Sequence, residues 1–226
     1  VKIGSATKRW QAAYELSKVL NNPKTIPTDI SFKGQMISSY KHSINDDPLV
    51  RAYLAIAMGA TGDNYYAKEL IVGLKDDSRE SRLASIQAVG MVKALEALPQ
   101  LGRIVTKSDY PDERLAATMA IGFIGSPSSI PILKELLEDE EPNIRWDAAI
   151  GLAKMGDKSS APIIENLMDR DYLSSFPELD FKEVNKVIMI AIEASKMVQD
   201  KRFEPKLVSL AETDESLKIR DAAMKT

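Results

Sequence analysis

The side chains that could carry chemistry in this chain are few in kind. The sequence has no cysteine and a single histidine, His42. Without cysteine there can be no disulfide, thiolate nucleophile or cysteine-based zinc site. A histidine triad needs a nucleophile within hydrogen-bond distance, and the polar residues near His42 in sequence are ordinary for a helix surface. We therefore predict that His42 is a surface residue and that the chain has no catalytic residues.

The acidic run from Glu138 to Glu141 is a candidate metal site. Four consecutive carboxylates at a helix end cannot converge on one ion unless a loop folds round it. The run lacks the alternating spacing and the glycine of a calcium loop, and no phosphate loop, nucleophile elbow or His-Glu-x-x-His motif occurs elsewhere. The sequence predicts no metal, no cofactor and no enzymatic activity.

Arginines recur at a regular interval along the middle of the chain. A ladder of guanidinium groups could bind phosphates, whereas the alternative is that each arginine pairs with an acidic turn or a helix C-terminal carbonyl of a neighbouring unit. Because the position recurs with the architecture, we favour the second interpretation. The arginines are Arg51, Arg82, Arg114 and Arg145.

Aromatic residues also recur near these arginines. Trp10 and Trp146 each follow an arginine directly, at a position that is apolar in other copies of the pattern, which predicts packing in a core. Tyr65 and Tyr66 open a helix and could stack on a ligand. Tyrosines at a turn are more often half-buried with the hydroxyl in water, and we favour that interpretation.

A repeat of 31–32 residues positions all these side chains. The alanine-rich runs after the four arginines are spaced by 31, 32 and 31 residues, have apolar residues at helical spacing and contain no proline. A second marker is a proline, which suits the first turn of a helix because its missing N–H has no partner there. Each proline therefore predicts the start of a second helix. These prolines are Pro99, Pro131, Pro162 and Pro205.

Glycine followed by Asp or Ser separates the two predicted helices of several units, as at Gly62, Gly125 and Gly156. Glycine suits the left-handed cap of the first helix, and Asp or Ser caps the second. The result is an αα-hairpin that cannot bury its apolar face alone, so neighbouring hairpins must stack. We predict an all-α superhelix of about six hairpins and a terminal helix, forming one array over 1–226. The predicted units lie near 6–46, 47–77, 78–109, 110–140, 141–180, 181–214 and, in part, 215–226.

Two units exceed the period by about 11 and 12 residues, through insertions near 21–31 and 170–180. We expect both insertions to be loops or short turns that project from the stack. Deletion of residues 170–180 should then leave the array folded. Insertions on one face of a solenoid are often functional, and we predict that Tyr172, Leu173 and Phe176 are exposed and contact a partner.

The segment Arg145–Pro162 reads Arg-x-x-Ala-Ala-x-x-Leu-Ala-x-Met-Gly-Asp-x-x-x-Ala-Pro, and looser copies begin at Arg51, Arg82 and Arg114. This pattern resembles the HEAT repeat, in particular the short bacterial form also called the phycobilisome-lyase-type HEAT-like repeat. The resemblance covers nearly the whole chain. It implies an α-solenoid with first helices on the convex side and second helices lining the concave side, and it implies little about function.

A binding surface follows from the phase of the second helices. Positions one and four after each proline lie opposite the apolar stripe, and the family geometry would place them on the concave face. They carry both signs of charge, amides and isoleucines, a mixture that suits a polypeptide, with Ile132 and Ile163 as exposed apolar anchors. A nucleic-acid groove would repeat Lys or Arg. The residues are Gln100, Arg103, Ile132, Glu135, Ile163, Asn166, Lys206 and Ser209, and Glu69 and Val72 are their equivalents in the unit without the proline.

We therefore predict a non-catalytic scaffold or adaptor that binds another protein or peptide through its concave face. One alternative, motivated by the resemblance to bilin lyases, is an enzyme or lyase-like subunit. The HEAT-like DNA glycosylases are disfavoured because they need a basic groove and the net charge is -3.

The other alternative is an assembly component beside a membrane. Residues 1–45 carry a net charge of +5, which would suit anionic lipid, and the anchor would lie upstream of this chain. The sequence has no run of 18 apolar residues, so we expect a cytoplasmic or other soluble location for the part seen here. The oligomeric state is open.

Overall fold

The computed structural model describes residues 5–226, and within them every regular element is a helix. Short 3₁₀ turns precede several of the helices. Within these residues the helices predicted from the repeat are present in the predicted order, with one additional short helix. The helices are α1 Ala6–Leu20, α2 Ile30–His42, α3 Pro48–Ala60, α4 Ala67–Gly73, α5 Arg79–Met91, α6 Leu98–Lys107, α7 Pro111–Ile124, α8 Ile130–Glu135, α9 Pro142–Lys154, α10 Ala161–Leu167, α11 Arg170–Ser174, α12 Phe181–Val198, α13 Glu204–Thr213 and α14 Leu217–Met224.

The turn chemistry within the hairpins is as predicted. Gly62 and Gly156 have positive φ angles of 64° and 71°, which a residue with a Cβ rarely adopts. The carboxylates of Asp63 and Asp157 then accept the backbone N–H two residues later and start the next 3₁₀ turn. The predicted prolines occupy the first turns of α6, α8, α10 and α13.

The helices divide into two compact units, of which the first ends at Ile124 and the second begins at Gly125. In the first unit α1, α3, α5 and α7 pack side by side in chain order. The second helices α4 and α6 pack against α5 and α7. The core between these layers contains fully buried residues such as Leu54, Ile86, Leu101 and Ile121. The prediction of a single array over 1–226 stays a prediction.

Small residues let the first helices of this unit approach closely. A Cβ on Gly90 would lie 2.7 Å from Cα of Ala120, and a Cβ on Gly59 would lie 2.9 Å from Cα of Ala88. These separations are below van der Waals contact, so only glycine is accommodated at either crossing. The glycines thus set the spacing of α3, α5 and α7.

The second unit has its own core. Helix α9 packs against α10 and α12, and α13 packs against α14. The buried residues include Trp146, Ile164, Leu167, Ile188 and Ile192. This core is the frame on which the extra helix α11 and the second insertion are placed.

Candidate binding surfaces

Two of the four repeat arginines bind the turn that precedes their own hairpin. Nη1 of Arg82 donates to the carbonyl oxygens of Asp76 and Asp77 at 2.9 and 3.1 Å. Nη1 of Arg145 donates in the same way to the carbonyl oxygens of Asp139 and Glu140, at 2.7 and 3.0 Å. These contacts confirm the structural interpretation for both arginines.

One unit lacks the arginine and receives a substitute from the second insertion. Arg51 pairs with Asp76 in the turn that ends its unit, with 2.5 Å between Nε and Oδ2. Ile188 stands at the arginine position of the unit that ends at Asp214. Arg170 takes over there and binds Asp214 through two hydrogen bonds of 2.7 and 2.9 Å. The insertion therefore completes a contact that the repeat alone would leave open.

The electrostatics of this substitute pair are those of a buried carboxylate with a strong donor. Only 1% of the Asp214 side chain is exposed. Burial acts to raise the pKa of Asp214, but the hydrogen bond from Arg170, the Ser216 N–H and the charges of Arg170 and Arg220 outweigh it and hold the pKa below its ordinary value. The carboxylate is therefore ionised at neutral pH and depends on Arg170.

The residues predicted to form the binding face separate into two classes of exposure. In the five second helices α4, α6, α8, α10 and α13, position one is half-buried and position four is exposed. The half-buried residues are Glu69, Gln100, Ile132, Ile163 and Lys206. The exposed residues are Val72, Arg103, Glu135, Asn166 and Ser209.

Ile132 and Ile163 were expected to be exposed apolar anchors, and that expectation is wrong. Both are half-buried, and Ile163 packs against the core of the second unit. Position one lies one helical turn before an apolar position of the stripe, so a long side chain there leans onto the core. Position four, and not position one, presents its side chains to solvent.

A groove in the first unit contains two of the predicted residues. It has a volume of about 770 Å³, and Val72 and Gln100 line it together with Ile44 and Lys75. Oε1 of Gln100 is buried and has no hydrogen-bond partner within residues 5–226. Because this oxygen is itself buried, the groove presents the rest of the Gln100 side chain and the exposed Val72 to solvent.

A second groove, named here the insert groove, lies in the second unit between the second insertion and α13. It has a volume of about 750 Å³ and contains two further predicted residues, Lys206 and Ser209. Nζ of Lys206 lies 2.5 Å from Asp169 Oδ2, and this hydrogen bond is the main reason that the pKa of Asp169 is lowered. The insert groove thus joins the two surfaces that the sequence predicted separately.

The second insertion contains a short extra helical turn, as expected, but its apolar residues pack on the core, and the prediction that they are exposed is wrong. It forms α11, and Leu173 is fully buried in the core of the second unit. Tyr172 and Phe176 are half-buried against Trp146, whose Nε1 donates to the Tyr172 hydroxyl at 3.2 Å. The ring centroids of Trp146 and Phe176 lie 4.8 Å apart. Because these apolar residues pack on the core, deletion of residues 170–180 should unfold the second unit. A partner contact at Tyr172 or Phe176 stays a prediction.

The first insertion agrees better with expectation. It forms one 3₁₀ turn, Pro23–Thr25, with no buried residue, and is followed by extended chain before α2. The Thr25 hydroxyl donates to the carbonyl of Val19 and ties the turn to the end of α1.

Much of the positive charge near the N-terminus is paired within the chain. Arg9 binds Asp46 at 2.6 Å and Lys41 binds Glu69 at 2.9 Å. Lys33 and Lys18 also pair with carboxylates, those of Asp63 and Glu15, and Lys2 lies outside the described residues. These ion pairs weaken the positive electrostatic field that an anionic membrane would meet. The pair with Lys41 also leaves the Glu69 carboxylate less available to a partner.

The remaining sequence predictions have mixed outcomes. His42 is exposed and Trp146 is buried, as predicted. Trp10 is half-buried and stacks on Tyr53 with 6.2 Å between ring centroids. Tyr65 and Tyr66 differ from the expectation, because Tyr66 is fully buried and Tyr65 is 47% exposed.

Asp147 was not singled out from the sequence. It lies on α9 with its side chain half-buried, and this burial raises its pKa to about 6, against a smaller opposing effect of Lys154. The apolar neighbours Trp146, Ala148 and Ala149 on α9 were the available signal, because a carboxylate among core residues is partly removed from water. Phe181, which is 56% exposed at the start of α12, was also missed.

Within residues 5–226, no helix has both the length and the apolar content needed to cross a bilayer.

Comparison with protein families identifies the repeat. The family described as HEAT repeats matches residues 42–122 and 103–174, more than half of the chain. The chain belongs to the HEAT-repeat family. The all-α superhelical fold predicted from the repeat is confirmed by this match and by the helix pairs of both units. No curated protein matches the sequence significantly.

Solved structures with the same fold support this assignment. The complex of CpcE and CpcF of phycocyanin lyase from Nostoc sp. PCC7120 matches with a TM-score of 0.64 and 17% identity, covering 99% of this chain and 82% of that chain. YibA of E. coli matches with a TM-score of 0.55 and 19% identity, covering 97% and 81%. An engineered protein matches with a TM-score of 0.54 and 17% identity, covering 86% and 93%. At these identities the likeness shows the fold alone.

Proposed function

We propose that this HEAT-repeat protein is a non-catalytic scaffold or adaptor that binds another polypeptide on the outer face of its second helices. The observation that carries the proposal is the chemistry of the exposed position four in the five second helices that follow α2. From α4 to α13 this position holds an aliphatic, a basic, an acidic, an amide and a hydroxyl side chain, and all five are exposed. They are Val72, Arg103, Glu135, Asn166 and Ser209.

This variety of side chains favours a polypeptide as the binding partner, because a polypeptide also carries varied side chains. A polyanion such as nucleic acid would be met by a repeated cation, because each phosphate presents the same charge. A catalytic pocket would gather titratable groups in one layer. Neither pattern occurs at these five positions. A polypeptide can match a different chemistry at each step.

The alternative of a lyase-like enzyme rests on the resemblance and on the fold shared with CpcE and CpcF. That structure is a complex of two proteins, which is consistent with a protein partner for this chain as well. At 17% identity the likeness carries no activity.

Site-specific photo-crosslinking tests the proposal. The photoreactive residue p-benzoylphenylalanine replaces Arg103 on α6 or Asn166 on α10, both exposed on second helices. The matched controls replace Gln87 on α5 or Glu193 on α12, which are exposed on first helices. We expect protease-sensitive, nuclease-resistant adducts from the second-helix positions after irradiation in the native cell.

Equal crosslinking from α5 and α12 would show that the second helices are not a preferred surface. Adducts that nuclease removes would show that the partner is nucleic acid. Circular dichroism of each variant checks that the helices are intact.

A further inference from the structure

The cations of the insert groove are already neutralised by the groove itself. Lys206 is paired with Asp169, and Arg170 is paired with Asp214. Nη2 of Arg170 also donates to Asn185 Oδ1 at 2.7 Å. Each cation is therefore held in place and offers little charge to a ligand.

Two carboxylates remain at the rim. Asp171 is exposed on α11, and its carboxylate forms no ion pair within residues 5–226. Glu215 has a side chain that is 59% exposed and shares Arg170 with Asp214, at 3.0 Å from Nη1. Four carboxylates and two cations line the insert groove, so its formal charge is -2. A ligand that brings positive charge would meet favourable electrostatics at the rim.

The floor and one wall of the groove are apolar. Phe176, Leu179 and Val184 are half-buried against the core of the second unit. Phe181 is 56% exposed, and the Arg170 guanidinium lies 5.5 Å from its ring centroid. An exposed phenylalanine held beside a fixed guanidinium is a preorganised apolar contact.

We propose that the insert groove binds a polypeptide segment in which Lys or Arg stands next to an aliphatic or aromatic residue. The basic side chain lies at the rim between Asp171 and Glu215, and the apolar side chain packs on Phe181 above the floor. This inference rests on the proposed function and names the chemistry of one partner segment.

The test selects ligands without assuming a partner. A library of random 12-residue peptides displayed on phage is panned against the whole chain, and the enriched peptides are synthesised and measured by fluorescence anisotropy. The groove variant carries Asp171→Lys and Glu215→Lys, and a third variant carries Phe181→Ser. The matched control carries Glu138→Lys and Glu140→Lys, which change the net charge equally at exposed positions outside the groove.

We expect enriched peptides with a basic residue beside an apolar one. Their affinity should fall about tenfold in the groove variant and about fivefold in Phe181→Ser, and it should change less than twofold in the control. Raising NaCl from 50 to 500 mM should weaken binding to the native chain more than binding to the groove variant. Thermal unfolding of each variant confirms that the second unit is folded.

Acidic or uncharged enriched peptides, or affinities that the groove variant leaves unchanged, overturn the inference. If such peptides instead lose affinity when Arg103→Glu is introduced on α6, the proposed function stands and only the groove is wrongly assigned. Panning that enriches no peptide contradicts both the inference and the proposed function.

Discussion

Replacement of Asp147 by asparagine should stabilise this protein at neutral pH and leave it unchanged in acid. Burial on α9 raises the pKa of Asp147 to about 6, from an ordinary value of 3.8. Between these values the folded chain binds a proton that the unfolded chain has released. Stability from this group is therefore greatest in acid, decreases as the pH rises from about 3.8 to about 6, and stays low above that.

The magnitude follows from the width of that interval. Each unit of pKa difference corresponds to about 1.4 kcal/mol, so the full shift gives at most about 3 kcal/mol of destabilisation at pH 7. The side chain keeps partial solvent access, and screening reduces the expected value to about 1–2 kcal/mol. Asparagine has nearly the same shape and carries no charge at any pH, so the variant Asp147→Asn removes the penalty.

Urea unfolding followed by circular dichroism at a series of pH values measures this effect. At pH 7.5 the variant should be more stable than the native chain by about 1–2 kcal/mol, with a melting temperature higher by roughly 2–8 °C. The advantage should shrink as the pH falls through 6 and approach zero near pH 4. The control Asp221→Asn removes an exposed carboxylate on α14 that pairs with Lys225 and should change stability by less than about 0.5 kcal/mol. A variant advantage that is the same at every pH, or a loss of stability at pH 7.5, would refute the assignment of a desolvated, raised carboxyl.

Three further changes test the packing. Leu173→Ala should lower the free energy of unfolding in urea by about 2–5 kcal/mol because the side chain is fully buried, whereas Leu217→Ala, at a 71% exposed position, should lower it by less than about 1 kcal/mol. Equal losses would show that Leu173 is not part of the core. Gly90→Ala should cost about 1–3 kcal/mol, since its Cβ would meet Ala120, and an unchanged midpoint would show that the helices separate freely. Arg170→Ala leaves a buried carboxylate unpaired and should cost about 2–4 kcal/mol at pH 7, decreasing as the pH falls and that carboxylate is protonated; a cost independent of pH would contradict the ion pair.

The helix pairs could be predicted from the sequence because each depends on local chemistry. The left-handed glycine at Gly62, the capping carboxylate at Asp63 and proline in a first turn act within a few residues of their own position. The period of 31–32 residues then indicates which helices repeat. Such signals need no knowledge of distant contacts, and the structure agrees with them at these positions, whereas Lys93 and Gln199 adopt the left-handed conformation without a glycine signal.

The second insertion could not be predicted in the same way. Its turn residues, Ser174, Ser175 and Pro177, are typical of a loop, and they form the end of α11 and the turn after it. What the local sequence does not show is that Trp146, 26 residues earlier, offers an indole edge to the Tyr172 hydroxyl. A contact of that range depends on how the unit folds and leaves no periodic trace.

The sequence predicted which side of the second helices carries positions one and four, but the predicted exposure of the isoleucines at position one was wrong. Helical spacing correctly placed Arg103 and Asn166 on the outer side. It could not separate them from Ile132 and Ile163, because the two positions differ by three residues and share one side of the helix. The packing of the neighbouring helix decides which of these side chains solvent reaches, and the sequence of one helix does not show that packing.

The loss of the arginine at Ile188 and the gain of the second insertion are best understood as one change. An isoleucine at that position is fully buried and cannot pair with Asp214 as Arg51 pairs with Asp76. Without a cation the buried Asp214 carboxylate would keep the Ser216 N–H but lose its ion pair, which is destabilising. The insertion brings Arg170 to Asp214, and the same segment buries Leu173 and builds one wall of the insert groove. Arg170 therefore both pairs with Asp214 and holds the wall of the insert groove in place. The stability of the second unit and the shape of its candidate binding surface depend on the same insertion.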